Sequence, residues 1–471
     1  MIQFGTGGWR AIIGDGFDKK NVQLLMTAIA KKMKQDNVEK LGIVIGYDRR
    51  FLSKEAAKWA AETMASQGIP CLFINRQAPT PLVMFTVKHM ALPYGISITA
   101  SHNPAIYNGI KVFMEGGRDA DEVLTEELEE LTSIINPDDI TSIPFDEAVE
   151  SGAIKMIDPM NEYIDGIISA LDVESIRNRH LKIVLDPMYG VSKTALQTIL
   201  LTARCDVEVI HDRHDTLFGG RLPAPNHKTL AGLINYVEEN HCDIGIATDG
   251  DADRLGIVDD CAQFLHPNTI LVLLYYYLLK YKGWRGCAVR NVATTHLLNR
   301  IAEDYGEICY EVPVGFKHIS SKMAETNAVI GGESSGGLTV RGHIQGKDGI
   351  YAATLLVEMI AKTGKSLSAL FNEIKEKYGT YEMTEDDYRF SESKKQQISD
   401  ILLRDKLLPE FPYEIDKVSY LDGCKVYFKN GGWVITRFSG TEPLLRIFCE
   451  MPSIEEAKKI SNILVEFLSL K

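Results

Sequence analysis

The residues best suited to chemistry begin at Thr99-Ala100-Ser101-His102-Asn103-Pro104. They follow a short apolar alternation, Tyr94-Gly95-Ile96-Ser97-Ile98, which predicts a buried strand ending in an abrupt turn. Pro104 cannot donate to a ladder and biases Asn103 away from helix. The turn therefore presents Ser101 and His102 at a strand end, where open α/β sheets carry their sites. Lys111 follows in Asn108-Gly109-Ile110-Lys111 and can return positive charge to the same place. A serine in cationic surroundings suits phosphate chemistry, because a phosphoserine carries about −1.5 to −2 charges near neutral pH. A lone serine at such a position is more often a turn residue, so the weight falls on what accompanies it.

Asp249, Asp251 and Asp253 stand at alternate positions directly after the apolar run Ile244-Gly245-Ile246. Three carboxylates so close repel one another unless a cation neutralises them, and an all-oxygen ligand set fits Mg²⁺. An EF-hand is excluded, because Arg254 stands where that loop needs glycine. Arg437, Ser439, Gly440, Thr441 and Arg446 combine two guanidinium groups, two hydroxyls and a flexible backbone, the inventory of a phosphate clamp. Glu333 and Ser335, flanked by glycines, can bond sugar hydroxyls. The glycines of Phe4-Gly5-Thr6-Gly7-Gly8-Trp9-Arg10 let backbone approach an anion closely beside Arg10. Thr363-Gly364-Lys365-Ser366 imitates the end of a P-loop, but Met359 replaces its first glycine.

The elements that must position these residues alternate strand and helix, which argues for largely parallel sheets covered by helices. Asp18 caps a first helix with Val22, Leu25, Ile29 and Met33 on one face. A strand over 41–46 leads to Tyr47-Asp48-Arg49-Arg50, a helix runs from about Lys54 to Gln67, and Cys71-Leu72-Phe73-Ile74 is the next strand. The stretch from Asp119 to Ile135 predicts an amphipathic helix whose glutamates face solvent. Residues 136–150 have the proline and acidic content of a linker. A second unit carries the strand Ile183-Val184-Leu185 and the aspartate loop; a third repeats the plan around Ala328-Val329-Ile330 and the Glu333 loop. The last hundred residues alternate like antiparallel strands and close on a helix over 454–468, a smaller α+β domain. The expected boundaries are 1–150, 151–259, 260–376 and 377–471.

The chain's 471 residues fit three or four ordinary domains. A net charge of −13 without a long basic stripe argues against nucleic-acid and anionic-membrane partners. The most apolar stretch, Ile270 to Leu279, is too short to span a bilayer, and the first residues lack a secretory pattern. Eight scattered cysteines without a Cys-x-x-Cys pair read as reduced core residues, so a cytoplasmic location is expected.

Taken together, these segments resemble the α-D-phosphohexomutase superfamily, which includes phosphoglucomutases and phosphomannomutases. The signatures run in order along nearly the whole chain: Phe4 to Arg10, Thr99 to Pro104 with Asn108 to Lys111, Asp249 to Arg254, Gly332 to Gly336, and Arg437 to Pro443. The resemblance implies four domains around a central cleft, three sharing a mixed α/β sandwich and the fourth a smaller α+β domain. It implies a phosphoserine at Ser101 and Mg²⁺ held by Asp249, Asp251, Asp253 and that phosphoserine. Arg10, Lys111 and Arg254 would serve near the moving phosphoryl group, with Lys111 the leading proton carrier and His102 beside it. Glu333 and Ser335 would hold sugar hydroxyls, and Arg437, Ser439, Gly440 and Thr441 the phosphate that does not react. A hexose phosphate is the implied substrate, a sugar 1,6-bisphosphate the intermediate and activator, and a monomer or homodimer the expected assembly.

For the sugar, Gly337 replaces the histidine common after this loop in dual-specificity bacterial enzymes. The stretch Gly342-His343-Ile344-Gln345-Gly346-Lys347-Asp348-Gly349 and the loop Val314-Gly315-Phe316-Lys317 resemble glucose-directed members, which adds His343, Lys347 and Lys317 as substrate contacts. Glucose phosphate is therefore expected, with mannose phosphate, or both, open. Two further classes stand beside it: a metal-dependent phosphatase using the same serine, and a non-catalytic sugar-phosphate sensor. The second should have lost Ser101 or an aspartate, and all are present.

Overall fold

Three of the predicted reactive loops occupy the same position in three sheets. The computed structural model describes residues 2–5, 7–439 and 444–470. In the first sheet, parallel strands Ile154–Ile157, Cys71–Ile74, Ile43–Tyr47 and Tyr94–Ile98 lie side by side, and Tyr107–Met114 returns antiparallel to Tyr94–Ile98. The Ser101 turn is the connection before that return. In the second sheet Asp206–Val209, Lys182–Asp186 and Ile244–Thr248 are parallel, and Leu255–Val258 returns antiparallel after the aspartate loop. The third sheet repeats this with Cys309–Val312, Ala288–Asn291 and Ile330–Gly332, then Leu338–Val340 after the Glu333 loop. A strand that reverses at its carboxyl end leaves its connecting loop unpaired and free to carry function.

The fourth sheet is antiparallel throughout, ordered Glu382–Arg389, Leu444–Met451, Trp433–Phe438, Cys424–Phe428, Ile415–Ser419, with the helix Ile454–Phe467 packed on it. Ser453 caps that helix by accepting the Glu456 N–H.

One continuous apolar core joins the first three units, running from Val44 and Leu82 through Leu185 and Ile246 to Leu274 and Leu356. The helix Pro267–Lys280 is buried on all sides from Ile270 to Leu279, which explains its uniformly apolar sequence. Among the described residues no helix is long and apolar enough to cross a membrane, and no disulfide links the eight cysteines. The fourth sheet is attached to the third unit through a small cluster of Val292, Ala293, Tyr427, Trp433 and Phe448. Glu311 sits at that seam and accepts from Arg290 at 2.6 Å and Lys425 at 2.7 Å.

Two expectations change. The stretch expected to be a linker packs against the first unit instead. The helix Phe145–Glu150 places Phe145 edge-on to Phe73 at 5.0 Å, and Ile154–Ile157 then adds a parallel strand beside Cys71–Ile74. The acidic residues obscured a small apolar face. The predicted helix from Asp119 begins only at Glu122, capped by Asp121; Arg118–Asp119 is a short strand paired with Tyr107–Met114.

Candidate active site

Ser101 is buried and sits at φ +51°, in the left-handed region. That conformation costs a non-glycine residue roughly 1–2 kcal/mol, so the surroundings must hold it. Thr99 Oγ1 accepts the Ser101 N–H at 2.9 Å and donates to Asp48 Oδ2 at 2.6 Å. The Arg50 guanidinium donates to four carbonyls of the turn: Ser101 and Asn103 at 2.6 Å, Pro104 at 2.9 Å and Tyr107 at 3.1 Å. The Phe218 ring of the second unit lies 4.8 Å from the Arg50 guanidinium carbon. Asp48 and Arg50 stand at the end of the strand Ile43–Tyr47. In the sequence they mark only a strand ending, and a charged pair directly after an apolar strand is the signal that points to them.

The aspartate loop meets this turn. The Ser101 hydroxyl donates to Asp249 Oδ2 at 2.6 Å. A Cβ on Gly250 would lie 2.8 Å from the Ser101 carbonyl oxygen, so only glycine permits the approach. Lys111 Nζ is 2.6 Å from Asp251 Oδ2 and 2.5 Å from Asp253 Oδ2, and Lys347 Nζ is 3.0 Å from Asp253 Oδ2. Thr80, which in the sequence reads only as part of the turn Pro79-Thr80-Pro81, donates its hydroxyl to Asp251 Oδ2 at 2.6 Å and its N–H to the Asp251 carbonyl at 2.9 Å.

Burial and the neighbouring Asp251 and Asp253 push the Asp249 carboxyl well up. Asp253 goes the other way: burial opposes it, but Lys111, Lys347 and Arg254 hold its carboxylate well below the ordinary range. Burial likewise opposes the Lys111 ammonium, and Asp251 and Asp253 outweigh it.

One oxygen of each triad carboxylate lies within 4.8 Å of the others. Asp251 Oδ1 and Asp253 Oδ1 are buried without a hydrogen-bond partner. An orphaned buried carboxylate oxygen costs about 1–3 kcal/mol or more, and a hard divalent cation would relieve two at once. The donor set thus fits Mg²⁺.

Around the triad stand the cations expected there. Arg10 donates to Asn103 Oδ1 at 2.6 Å; burial and Arg254 pull its guanidinium down to about 10. The Arg254 N–H donates to Asp249 Oδ1 at 3.1 Å. His102 Nδ1 lies 3.3 Å from Ser101 Oγ, and Arg254, burial and Arg10 hold its imidazole well below the ordinary value.

The third loop arrives by direct pairing with the second: the Leu255 N–H donates to the Gly336 carbonyl at 3.2 Å, and Arg254 bridges Gly337. Within it the Ser335 hydroxyl donates to Glu333 Oε1 at 2.6 Å. Lys317 opens the helix Phe316–Thr326 and reaches Glu122 at 3.2 Å. Lys317 and Lys111 both line a cavity of about 280 Å³ whose walls include Gly7, Gly8, Asp119 and Glu126. That volume stands at the lower edge of the ~300–1,000 Å³ of ordinary ligand clefts. Glu122, Glu126 and Glu129 also line the cavity; Glu122 and Glu126 are exposed, as the helix pattern predicts, and Glu129 is half-buried.

His343 is placed differently from the substrate contact expected. Its Nε2 lies 2.8 Å from Asp348, its ring packs 4.6 Å from Tyr351 and 5.9 Å from Tyr163, and it is 8% exposed. Tyr163 also donates to Asp348. This histidine is committed to the packing of the second unit against the third.

In the fourth unit Arg437 and Arg446 face each other directly across neighbouring strands. Like charges so placed repel unless an anion lies between or beside them. Asp422 Oδ2 is 3.3 Å from Arg437 Nε, and Asp387 Oδ1 is 3.4 Å from Arg446 Nε. Asp422 also accepts the Val314 N–H at 2.9 Å, tying this pair to the Lys317 loop. The Ser439 N–H donates to the Leu444 carbonyl at 2.8 Å. Gly440 and Thr441 lie outside the described residues.

Four sequence-family profiles match in chain order: phosphoglucomutase/phosphomannomutase alpha/beta/alpha domain I over residues 1–137, domain II over 161–262, domain III over 266–378, and the C-terminal domain over 393–466. The chain is 30% identical to a phosphoglucomutase/phosphomannomutase of Thermococcus kodakarensis, covering 99% of this chain and 98% of that one. It is 28% identical to a phosphoglucosamine/phosphogalactosamine mutase of Sulfurisphaera tokodaii, covering 99% of each. Its fold superposes with a TM-score of 0.85 on a crystal structure from Thermus thermophilus, a phosphomannomutase candidate, at 28% identity and 99% coverage of both chains. With four profiles matched in order and a relative aligned from end to end, the chain belongs to the phosphoglucomutase/phosphomannomutase family of the α-D-phosphohexomutase superfamily.

Proposed function

We propose that this phosphohexomutase interconverts glucose 1-phosphate and glucose 6-phosphate through a phosphoserine at Ser101. The observation that carries the reading is the Ser101 hydroxyl, held 2.6 Å from Asp249 in a turn fixed by Arg50 and ringed by Lys111, Arg10 and Arg254. Phosphoryl transfer asks mainly for alignment and for positive charge around the moving group, and this ring of groups supports both.

In the proposed cycle the Ser101 ester bond to phosphorus breaks as a sugar hydroxyl oxygen bonds to that phosphorus. Lys111, favoured as an ammonium by Asp251 and Asp253, is the first proton carrier and gives a proton to the departing Ser101 oxygen, while the sugar hydroxyl's proton passes to the His102 imidazole beside it. The resulting 1,6-bisphosphate turns end for end, and its other phosphoryl group returns to Ser101, so a sugar 1,6-bisphosphate can also charge an unphosphorylated chain. Asp249, Asp251, Asp253 and the phosphoserine are the residues that would hold Mg²⁺. That ion would add charge neutralisation at the transferred group. Glu333, Ser335 and Lys347 are assigned to the sugar and its phosphate, Lys317 to a phosphate edge, and Arg437, Ser439, Gly440, Thr441 and Arg446 to the phosphate that does not react. His343 is withdrawn from that set. We place the activity in the cytoplasm, in a monomer or homodimer, without nucleic-acid or membrane partners.

Mannose phosphate, alone or with glucose phosphate, is the alternative substrate, and a relative named for glucosamine and galactosamine phosphates widens the comparison. Turnover of glucose 1-phosphate, mannose 1-phosphate and glucosamine 6-phosphate on one preparation decides among them. The reading expects the highest kcat/KM on glucose 1-phosphate. A preference for either other sugar replaces the substrate and keeps the mechanism; release of inorganic phosphate faster than isomerisation makes the protein a phosphatase.

A further inference from the structure

Asp119 belongs to none of the predicted motifs, yet it stands in the cleft. Its short strand Arg118–Asp119 returns from Tyr107–Met114 through Gly116 and Gly117, at φ +82° and +70°. The three-residue turn from Glu115 to Gly117 needs two successive left-handed residues, which glycine adopts without steric cost. A Cβ on Gly117 would lie 2.3 Å from the Met84 carbonyl oxygen, so the turn is seated tightly on the helix Thr80–His89. The register opposes Asp119 to Phe113, and Phe113 shares its face of the strand with Lys111, two residues away. Asp119 therefore projects on the same side as Lys111, and both line the 280 Å³ cavity.

One oxygen of the side chain has no polar partner. Asp119 Oδ2 is buried and accepts no hydrogen bond. Burial pushes the Asp119 carboxyl up; Lys347 and Lys111 work against that rise, and Asp253 and Glu333 add to it. Lys111 is engaged by Asp251 and Asp253, and Lys347 by Asp253. A buried acceptor that no protein donor reaches, on a residue lining the same cavity as Lys111 and Lys317, calls for a donor carried by the ligand.

We propose that Asp119 is a substrate-binding residue that accepts a hydrogen bond from a ring hydroxyl of the hexose phosphate and discriminates against sugars lacking it. The assignment rests on the mutase reading above and deepens it, adding a contact from the first unit to those expected from Glu333 and Ser335 in the third. A hydroxyl donating to a carboxylate can contribute the larger share of a sugar's discrimination, because the analogue without it leaves a buried charge unpaired.

The test compares wild type, Asp119→Ala and Asp119→Asn on glucose 1-phosphate and its 2-, 3- and 4-deoxy analogues, with thermal melts as the folding control. Wild type should lose about 10- to 100-fold in kcat/KM on the one analogue lacking the recognised hydroxyl. Asp119→Ala should lose a similar factor on glucose 1-phosphate and should no longer distinguish that analogue from it. Asp119→Asn, which keeps the shape, should fall between and serves alone if the alanine variant does not fold. A variant within about twofold of wild type on glucose 1-phosphate overturns the proposal. So does a slow variant that still penalises every analogue as wild type does, since that marks a structural role. Absence of wild-type turnover on every hexose phosphate overturns the mutase reading itself, and this assignment with it.

Discussion

The Ser101 hydroxyl donates to Asp249 Oδ2 across 2.6 Å and across the boundary between the first and second units. Neither residue is free to move alone. Arg50 grips the serine turn by four carbonyls, and Asp249 is anchored through its other oxygen to the Arg254 N–H. The serine and the acidic loop are thus held together without a ligand, which would lower the reorganisation that the proposed transfer requires.

Metal removal is the first prediction. Asp251 Oδ1 and Asp253 Oδ1 are buried without hydrogen-bond partners, so a chelator should abolish turnover and added Mg²⁺ should restore it. Steady-state assays before and after chelation check this; turnover indifferent to chelator would reassign the three aspartates.

Arg50→Lys should lower kcat by about 10- to 100-fold with little change in KM. A lysine keeps the charge but cannot reach four carbonyls, and small misplacement of a reacting group costs about that much. Kinetics alongside a thermal melt separates the effect from unfolding. A raised KM with unchanged kcat would show that Arg50 serves binding and not the placement of Ser101.

Arg437→Ala should raise KM by about tenfold or more, the loss expected for a charge-assisted bond to phosphate, and should leave the melting temperature nearly unchanged. Arg437 faces Arg446 across the ladder and shares Asp422 with the Lys317 loop. A collapsed melting curve with normal KM in the surviving protein would contradict the clamp.

Glu311→Gln should destabilise the seam between the third and fourth units in a pH-dependent way. Burial pushes the Glu311 carboxyl up, but the nearby His296 ring, Arg290 and Lys425 outweigh it and hold the carboxylate far below its ordinary 4.5. A depressed carboxyl contributes stability above its unfolded value and loses it as pH falls toward the folded one. Wild type should therefore exceed the variant by about 3–5 kcal/mol at neutral pH, and the gap should narrow as pH drops below 4.5. Denaturant melts across that range measure it; a gap constant with pH would mean the charge is not what matters.

Much of this was legible in the sequence because each reactive loop follows an apolar strand, and strand ends can be read from periodicity. The Ser101 turn, the aspartate triplet and the Glu333 loop all fall at strand reversals of one recurring plan. What stayed hidden depends on contacts between units. Thr80 opens a helix far from the triplet and becomes its hydrogen-bond donor only when two units dock. Arg50 reads as surface charge until the turn folds over it. Asp119 reads as helical because the Glu- and Leu-rich pattern beyond it dominates, whereas the Gly116-Gly117 turn makes it a strand residue. His343 failed in the opposite sense: a motif position suggested substrate, and the packing of Tyr163 and Tyr351 claimed the ring.

The central claim, that Ser101 carries the phosphoryl group in transit, is tested most directly by charging the protein with glucose 1,6-bisphosphate labelled in phosphorus, mapping the label by peptide mass spectrometry, and chasing with unlabelled glucose 1-phosphate. The account predicts label on Ser101 alone, its transfer to hexose phosphate during the chase, and neither label nor turnover in Ser101→Ala. Label on another residue, label released only as inorganic phosphate, or full turnover by Ser101→Ala would contradict it.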